Sequence, residues 1–112
     1  MLSLLLISAH MLGDYVLQNG WQAANKMGWK QINILARTVH VTLYTTPFLA
    51  IGLLYLSIPQ SLLFALSVFV THWITDIRRW ASDKQWCAKP IMVDQTIHMV
   101  TLAILGLIFF GR

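Results

Sequence analysis

The chain contains no glutamate and only four aspartates among 112 residues, against eight lysines and arginines. Charged residues make up 11% and apolar residues 57%, where soluble domains carry about 25% charged residues. That balance excludes a soluble bundle, which would have too few polar side chains to solvate its surface. A single cysteine, Cys87, excludes an internal disulfide. It lies in a basic stretch and is expected to be a free cytoplasmic thiol. No basic segment precedes the first apolar run and no small-residue cleavage site follows it, so a cleaved signal peptide is not expected. At this length the expectation is a single integral membrane domain, 1–112, with little mass outside the bilayer.

Four apolar segments are present, at about 1–17, 32–56, 60–77 and 91–110. Each approaches the roughly 20 residues that a spanning helix requires. The first is short and predicts little tilt or a locally thinned bilayer. Pro47 should kink the second helix, Pro59 lies in the tight turn before the third, and Pro90 suits the start of the fourth. The expected fold is therefore all-α, a four-transmembrane-helix bundle.

Basic residues set the orientation. Lys26, Lys30 and Arg37 flank the first long loop, Arg78, Arg79, Lys84 and Lys89 flank the other, and only Arg112 lies on the opposite side. The positive-inside rule then places both long loops in the cytoplasm and both termini outside. Trp21, Trp29, Trp80 and Trp86 fall in the same loops, as an interfacial aromatic belt does. These basic and aromatic residues read as membrane anchors, and no nucleic-acid partner is expected.

Three of the four aspartates stand four positions from a histidine: His10 with Asp14, His72 with Asp76, and Asp94 with His98. Residues at i and i+4 share one face of a helix, and ionisable groups inside a membrane are costly and usually functional. The first and third helices run toward the cytoplasm and end in H-x-x-x-D. The fourth runs away from it, and its order is reversed. All three aspartates thus fall at the cytoplasmic edge, with their histidines one turn deeper, about 5–6 Å. On the outward-running second helix, Arg37 precedes His40 and brings that histidine to the same depth. Each half of the chain is a helix ending in H-x-x-x-D, a basic Trp-containing loop and a returning helix with a histidine, which suggests two pseudo-repeated helical hairpins.

Seven candidate metal ligands converge at one level: His10, Asp14, His40, His72, Asp76, Asp94 and His98. Imidazole and carboxylate donors suit a divalent transition metal, with zinc the first expectation and manganese or iron as alternatives. The number of donors leaves room for one ion or two. Gln18 and Gln95 are candidate hydrogen-bond donors to the ligating side chains. Asp14, Asp76, Asp94 and Arg37 are the candidate catalytic residues, with Arg37 able to clamp an anionic substrate. Trp73 and the methionines read as core.

The stretch H-M-L-G-D-Y-V-L-Q (His10 to Gln18), then Lys26, His40, T-H-W-I-T-D (Thr71 to Asp76) and D-Q-T-I-H (Asp94 to His98) together resemble the family called domain of unknown function 3307. These are small membrane proteins of bacteria and their phages, and the resemblance covers nearly the whole chain. It implies a bacterial inner (plasma) membrane location and supports a site more than a reaction. The H-x-x-x-D pairs alone are also similar to those of bacterial membrane-bound metal-dependent hydrolases, which implies metal-dependent hydrolysis on one short motif.

The functional expectation is a membrane-embedded metal-dependent hydrolase whose His/Asp centre faces the cytoplasm and acts on a phosphate ester, lipid or other, at the interface. Two alternatives remain. One is a non-catalytic scaffold stapled by its metal. The other is a small proton or cation conductor, disfavoured because the outer halves of the helices offer only groups such as Thr45, Thr46, Tyr55 and Thr101. Homo-oligomerisation stays open, since Gly106 and Gly111 are too far apart for a G-x-x-x-G motif.

Overall fold

The computed structural model describes residues 1–77 and 90–111. The chain runs α1 (Leu2–Met11), a π-helical turn (Leu12–Val16), α2 (Gly20–Asn25), α3 (Gln31–Tyr55), α4 (Ile58–Thr75) and α5 (Pro90–Phe110). All regular structure among the described residues is helical. Three of these helices, α3, α4 and α5, are long and apolar enough to cross a membrane, while the apolar run Leu2–Val16 is shorter. Large apolar side chains such as Leu54, Leu62, Leu66, Ile74 and Leu107 are exposed, whereas His10, Arg37, His40, Asp76 and Asp94 are fully buried. Polar groups inside and aliphatic groups outside is the arrangement lipid favours, and the chain is a membrane protein.

The main departures from the sequence-level boundaries are α4, which spans 58–75 where 60–77 was expected, and α2, which was not expected. Helix α4 starts at Ile58 rather than at 60, because Ser57 caps it: the Gln60 amide donates to Ser57 Oγ, and the Ser57 amide to Gln60 Oε1. Pro59 fits within that first turn, where its missing N–H is not needed. The short α2 lies in what reads as a loop. It carries the same reciprocal cap, with the Gln22 amide donating to Asn19 Oδ1 at 2.9 Å.

Helix α3 continues through Pro47. Proline has no N–H for the carbonyl four residues back. Thr46 fills that role, its Oγ1 donating to Leu43 O at 2.7 Å. In lipid no water could do so. Helices α3 and α4 also pack closely beside their connecting turn. A Cβ on Gly52 would come within 3.2 Å of Ser61 Cα, so the glycine permits that approach.

An apolar cluster of Leu6, Ala9, Phe48, Ile51, Phe64, Val68, Leu102 and Leu105 fills the bundle below the polar layer. Tyr44 belongs to both, with its ring in the cluster and its hydroxyl in the polar layer. Expectations for Arg78, Arg79, Trp80, Lys84, Trp86, Cys87, Lys89 and Arg112 fall outside the described residues.

Candidate metal centre

Helical spacing delivers the three His/Asp pairs as expected. His72 Nε2 lies 3.2 Å from Asp76 Oδ2, His10 Nε2 3.8 Å from Asp14 Oδ2, and His98 Nδ1 3.8 Å from Asp94 Oδ2. The pairs also meet one another, and with His40 they form one buried polar layer. Asp14 is carried on the π-helical turn, a local widening of the helix common at functional sites.

The tightest grouping surrounds two histidine nitrogens. His40 Nε2 and His72 Nε2 are 3.2 Å apart. Asp14 Oδ1 lies 3.2 Å from the first and 3.4 Å from the second. Asp76 Oδ2 lies 3.2 Å from both. Hydrogen bonding cannot account for all five contacts. A neutral imidazole nitrogen carries at most one proton, and each Nε2 here faces another nitrogen and two carboxylate oxygens. The spacing is that of ligands around a cation. With metal–ligand bonds of about 2.0–2.1 Å, tetrahedral donors stand about 3.3–3.4 Å apart. Asp14, His40 and His72 form one such triangle; His10, Asp14 and His98, and His72, Asp76 and His98, form looser ones.

His98 stacks on His72 with ring centroids 4.1 Å apart, and Tyr44 stacks on the opposite partner of that pair, His72, at 3.7 Å. Both nitrogens of His98 are buried without a hydrogen-bond partner among the described residues. They lie 3.6 Å from Asp14 Oδ2 and 3.7 Å from Asp76 Oδ1. A buried donor left without a partner is costly, so this ring is also free to ligate. His10 differs. Its Nδ1 is 2.7 Å from Tyr44 Oη and its Nε2 2.7 Å from Gln95 Oε1, so both ring nitrogens are engaged in short hydrogen bonds.

Of the two glutamines singled out in the sequence, Gln95 reaches the ligands, donating to Asp14 Oδ2 at 3.0 Å. Gln18 does not take that place. Its Oε1 is buried without a partner among the described residues, and its side chain lines a cavity of about 210 Å³ with Asp14, Tyr15, Lys26, Met27 and Gln95.

Arg37 is placed otherwise than a substrate clamp requires. It is fully buried, its Nη1 donates to Lys26 O at 3.0 Å and Gly28 O at 2.7 Å, and its guanidinium lies 4.0 Å over the Trp73 ring and 5.4 Å from that of Trp29. Those bonds lock the loop before α3. Gly28 makes the loop feasible with a φ of 109°, a backbone state that a Cβ disfavours. Asn33 Nδ2 adds a bond to Asn25 O at 2.8 Å. Trp73 is not only core, since its Nε1 donates to Thr38 Oγ1 at 3.2 Å.

The locked loop places a residue the sequence reading assigned to anchoring. Lys26 is almost fully buried and its Nζ lies 3.2 Å from Asp76 Oδ2. Among the described residues Lys26, rather than Arg37, is the cation that lines the cavity. Tyr44 was likewise missed, although it stands four residues after His40 and so shares its face. Gly13 explains how Tyr44 gets there: a Cβ at that position would meet Tyr44 Cδ2 at 2.5 Å and its Cα at 3.0 Å.

No curated protein and no solved structure matches the chain, so the likeness to membrane-bound metal-dependent hydrolases stands on its motif alone. One family model does match, over residues 1–111, and its description reads "Protein of unknown function (DUF3307)". With a match across nearly its entire length, the chain belongs to the DUF3307 family.

Proposed function

We propose that this chain is a membrane-embedded, metal-dependent hydrolase with a His/Asp centre facing the cytoplasm. Its substrate class is a phosphate ester at the membrane interface. The carrying observation is the set of five donor–donor distances of 3.2–3.4 Å among His40, His72, Asp14 and Asp76. The donors suit zinc, with manganese or iron as alternatives. His98 and Asp94 would complete the coordination or serve a second ion. A metal held there acidifies a coordinated water and polarises an ester oxygen. The protein's own part is to bury the ligands, hold Asp14 through Gln95 and offer Lys26 to an anionic group entering the cavity.

The same reading makes the Leu2–Val16 run a fourth span, which a locally thinned bilayer accommodates. Both termini then lie outside the bacterial inner membrane and the loops inside. An apolar groove of about 480 Å³ runs between α1 and α5 past Leu6, Met99, Leu102 and Gly106. It gives an acyl chain a path toward the layer that holds His98, which supports a lipid phosphate over a soluble one.

Elemental analysis of the purified chain, followed by phosphatase assays on lipid and nucleotide panels, tests the proposal. About one or two zinc ions per chain and turnover of a phosphate ester are expected. Full burial of His40, Asp76 and Asp94 favours a second reading, a metal that only staples the bundle. Zinc bound without turnover on any panel would select it.

A further inference from the structure

The metal reading treats His10 as one ligand among seven, but its hydrogen bonds can be given a direction. Asp14 is a carboxylate and can only accept. Gln95 must therefore present its amide nitrogen to Asp14 Oδ2, at 3.0 Å, and its second proton to Asp94 Oδ2, at 3.3 Å. The opposite flip would set a carbonyl oxygen against a carboxylate oxygen. That fixes Gln95 Oε1 toward His10 Nε2, at 2.7 Å. An amide oxygen can only accept, so His10 Nε2 carries a proton. In the neutral ring Nδ1 is then bare, and it accepts from Tyr44 Oη at 2.7 Å. Every proton in the series is assigned by the acceptor-only carboxylate at its end.

Distance separates this series from the donors around His40 and His72. At 2.7 Å the two contacts of His10 are ordinary short hydrogen bonds. They are shorter than the spacing of about 3.3 Å between ligands of one tetrahedral metal. The nearest carboxylate oxygen to His10 Nε2, Asp14 Oδ2, is 3.8 Å away. His10 is fully buried, so water does not compete for either nitrogen. The ring is therefore saturated, although its position among Asp14 and His98 would otherwise suit a ligand.

We propose that Tyr44, His10 and Gln95 form a one-way hydrogen-bond chain ending on Asp14, and that His10 is a positioning residue rather than a metal ligand. The chain fixes one oxygen of Asp14 and leaves Oδ1 turned to His40 and His72. It also gives Gly13 its purpose, since only a residue without a Cβ lets Tyr44 approach closely enough to start the series. The inference about the metal rests on the function proposed above; the direction of the hydrogen bonds does not.

The test is long-range proton–nitrogen NMR on the full chain labelled with nitrogen-15 histidine, recorded without metal and with zinc. We expect His10 to carry its proton on Nε2 in both states, with neither of its nitrogens shifting as a bound nitrogen does, while His40 and His72 Nε2 respond to zinc. A proton on Nδ1 of His10, or a zinc-dependent loss of its Nε2 proton, overturns the proposal. Gln95→Leu removes the acceptor for His10 and the donor to Asp14 without adding a charge beside the aspartates. It should weaken zinc binding by about 10–100-fold, with His40 and His72 still responding to zinc at saturation. Undiminished zinc affinity in that variant also overturns it. Should the wild type take up no zinc, the metal reading fails by itself, and the His10 proton in metal-free protein still decides the direction of the chain.

Discussion

Replacing Lys26 by Met tests whether Asp76 serves a cation other than that lysine. Methionine keeps most of the volume of the stem and removes the charge. Asp76 is fully buried and Lys26 nearly so, with 3.2 Å between them. Removing one partner of a buried pair costs about 3–5 kcal/mol, because the remaining charge is left uncompensated. In metal-free protein Lys26→Met should lose about 3 kcal/mol of stability by that argument. A divalent ion between His40, His72 and the aspartates would compensate Asp76 itself, and the loss should fall to about 1 kcal/mol, the scale of a single hydrogen bond. The difference of about 2 kcal/mol must reappear in binding, with zinc held about 30-fold more tightly by the variant. Thermal unfolding in detergent with and without zinc, together with a competition titration, reads both sides of the cycle. Equal destabilisation in the two states, or weaker zinc binding by the variant, would refute the placement of Asp76 in the metal site.

Gly13→Ala should destabilise the chain by about 1–3 kcal/mol through overpacking, since its Cβ meets Tyr44 backbone as well as ring; thermal unfolding checks this. Thr46→Val should cost about 1–3 kcal/mol by leaving Leu43 O without a donor in lipid, measurable in the same way. Arg37→Lys should retain zinc and its stoichiometry yet expose the loop around Lys26 and Gly28 to proteolysis, because one ammonium cannot reproduce the two carbonyl bonds and the stacking on Trp73. Retained protease resistance in that variant would show that the loop is held by other means. Chelation of the metal should lower the unfolding temperature of the wild type, as bound metal contributes folding energy.

The site was legible where helical periodicity carries it. The separation of four in each His/Asp pair, and its reversal between helices that run in opposite directions, placed six residues of the polar layer on facing surfaces without any long-range information. His40 followed from depth alone. Tyr44 carried the same signal, four residues after His40, but an aromatic in an apolar helix reads as packing, and only the close approach at Gly13 brings its hydroxyl to His10. Lys26 stands in the family pattern, but its role in the site was not legible. It comes from a loop, pairs with a residue fifty positions away, and looks like any other basic residue that anchors a membrane protein. Arg37 shows the converse. Its spacing from His40 suggested a shared role, yet the carbonyls of Lys26 and Gly28, set by the turn at Gly28, claim its Nη1. The short α2 was hidden because six residues are too few to display a period, and its only signature was the Asn19 and Gln22 cap.

The most direct measurement of the central claim is X-ray absorption at the zinc edge of the purified, zinc-loaded chain. About four to six nitrogen and oxygen neighbours at about 2.0–2.2 Å are predicted, with two or three imidazoles among them, no sulfur, and a loss of two imidazoles in a His40→Ala, His72→Ala double variant. A chain that holds no zinc after loading, or one that retains the same imidazole signal in the double variant, contradicts it.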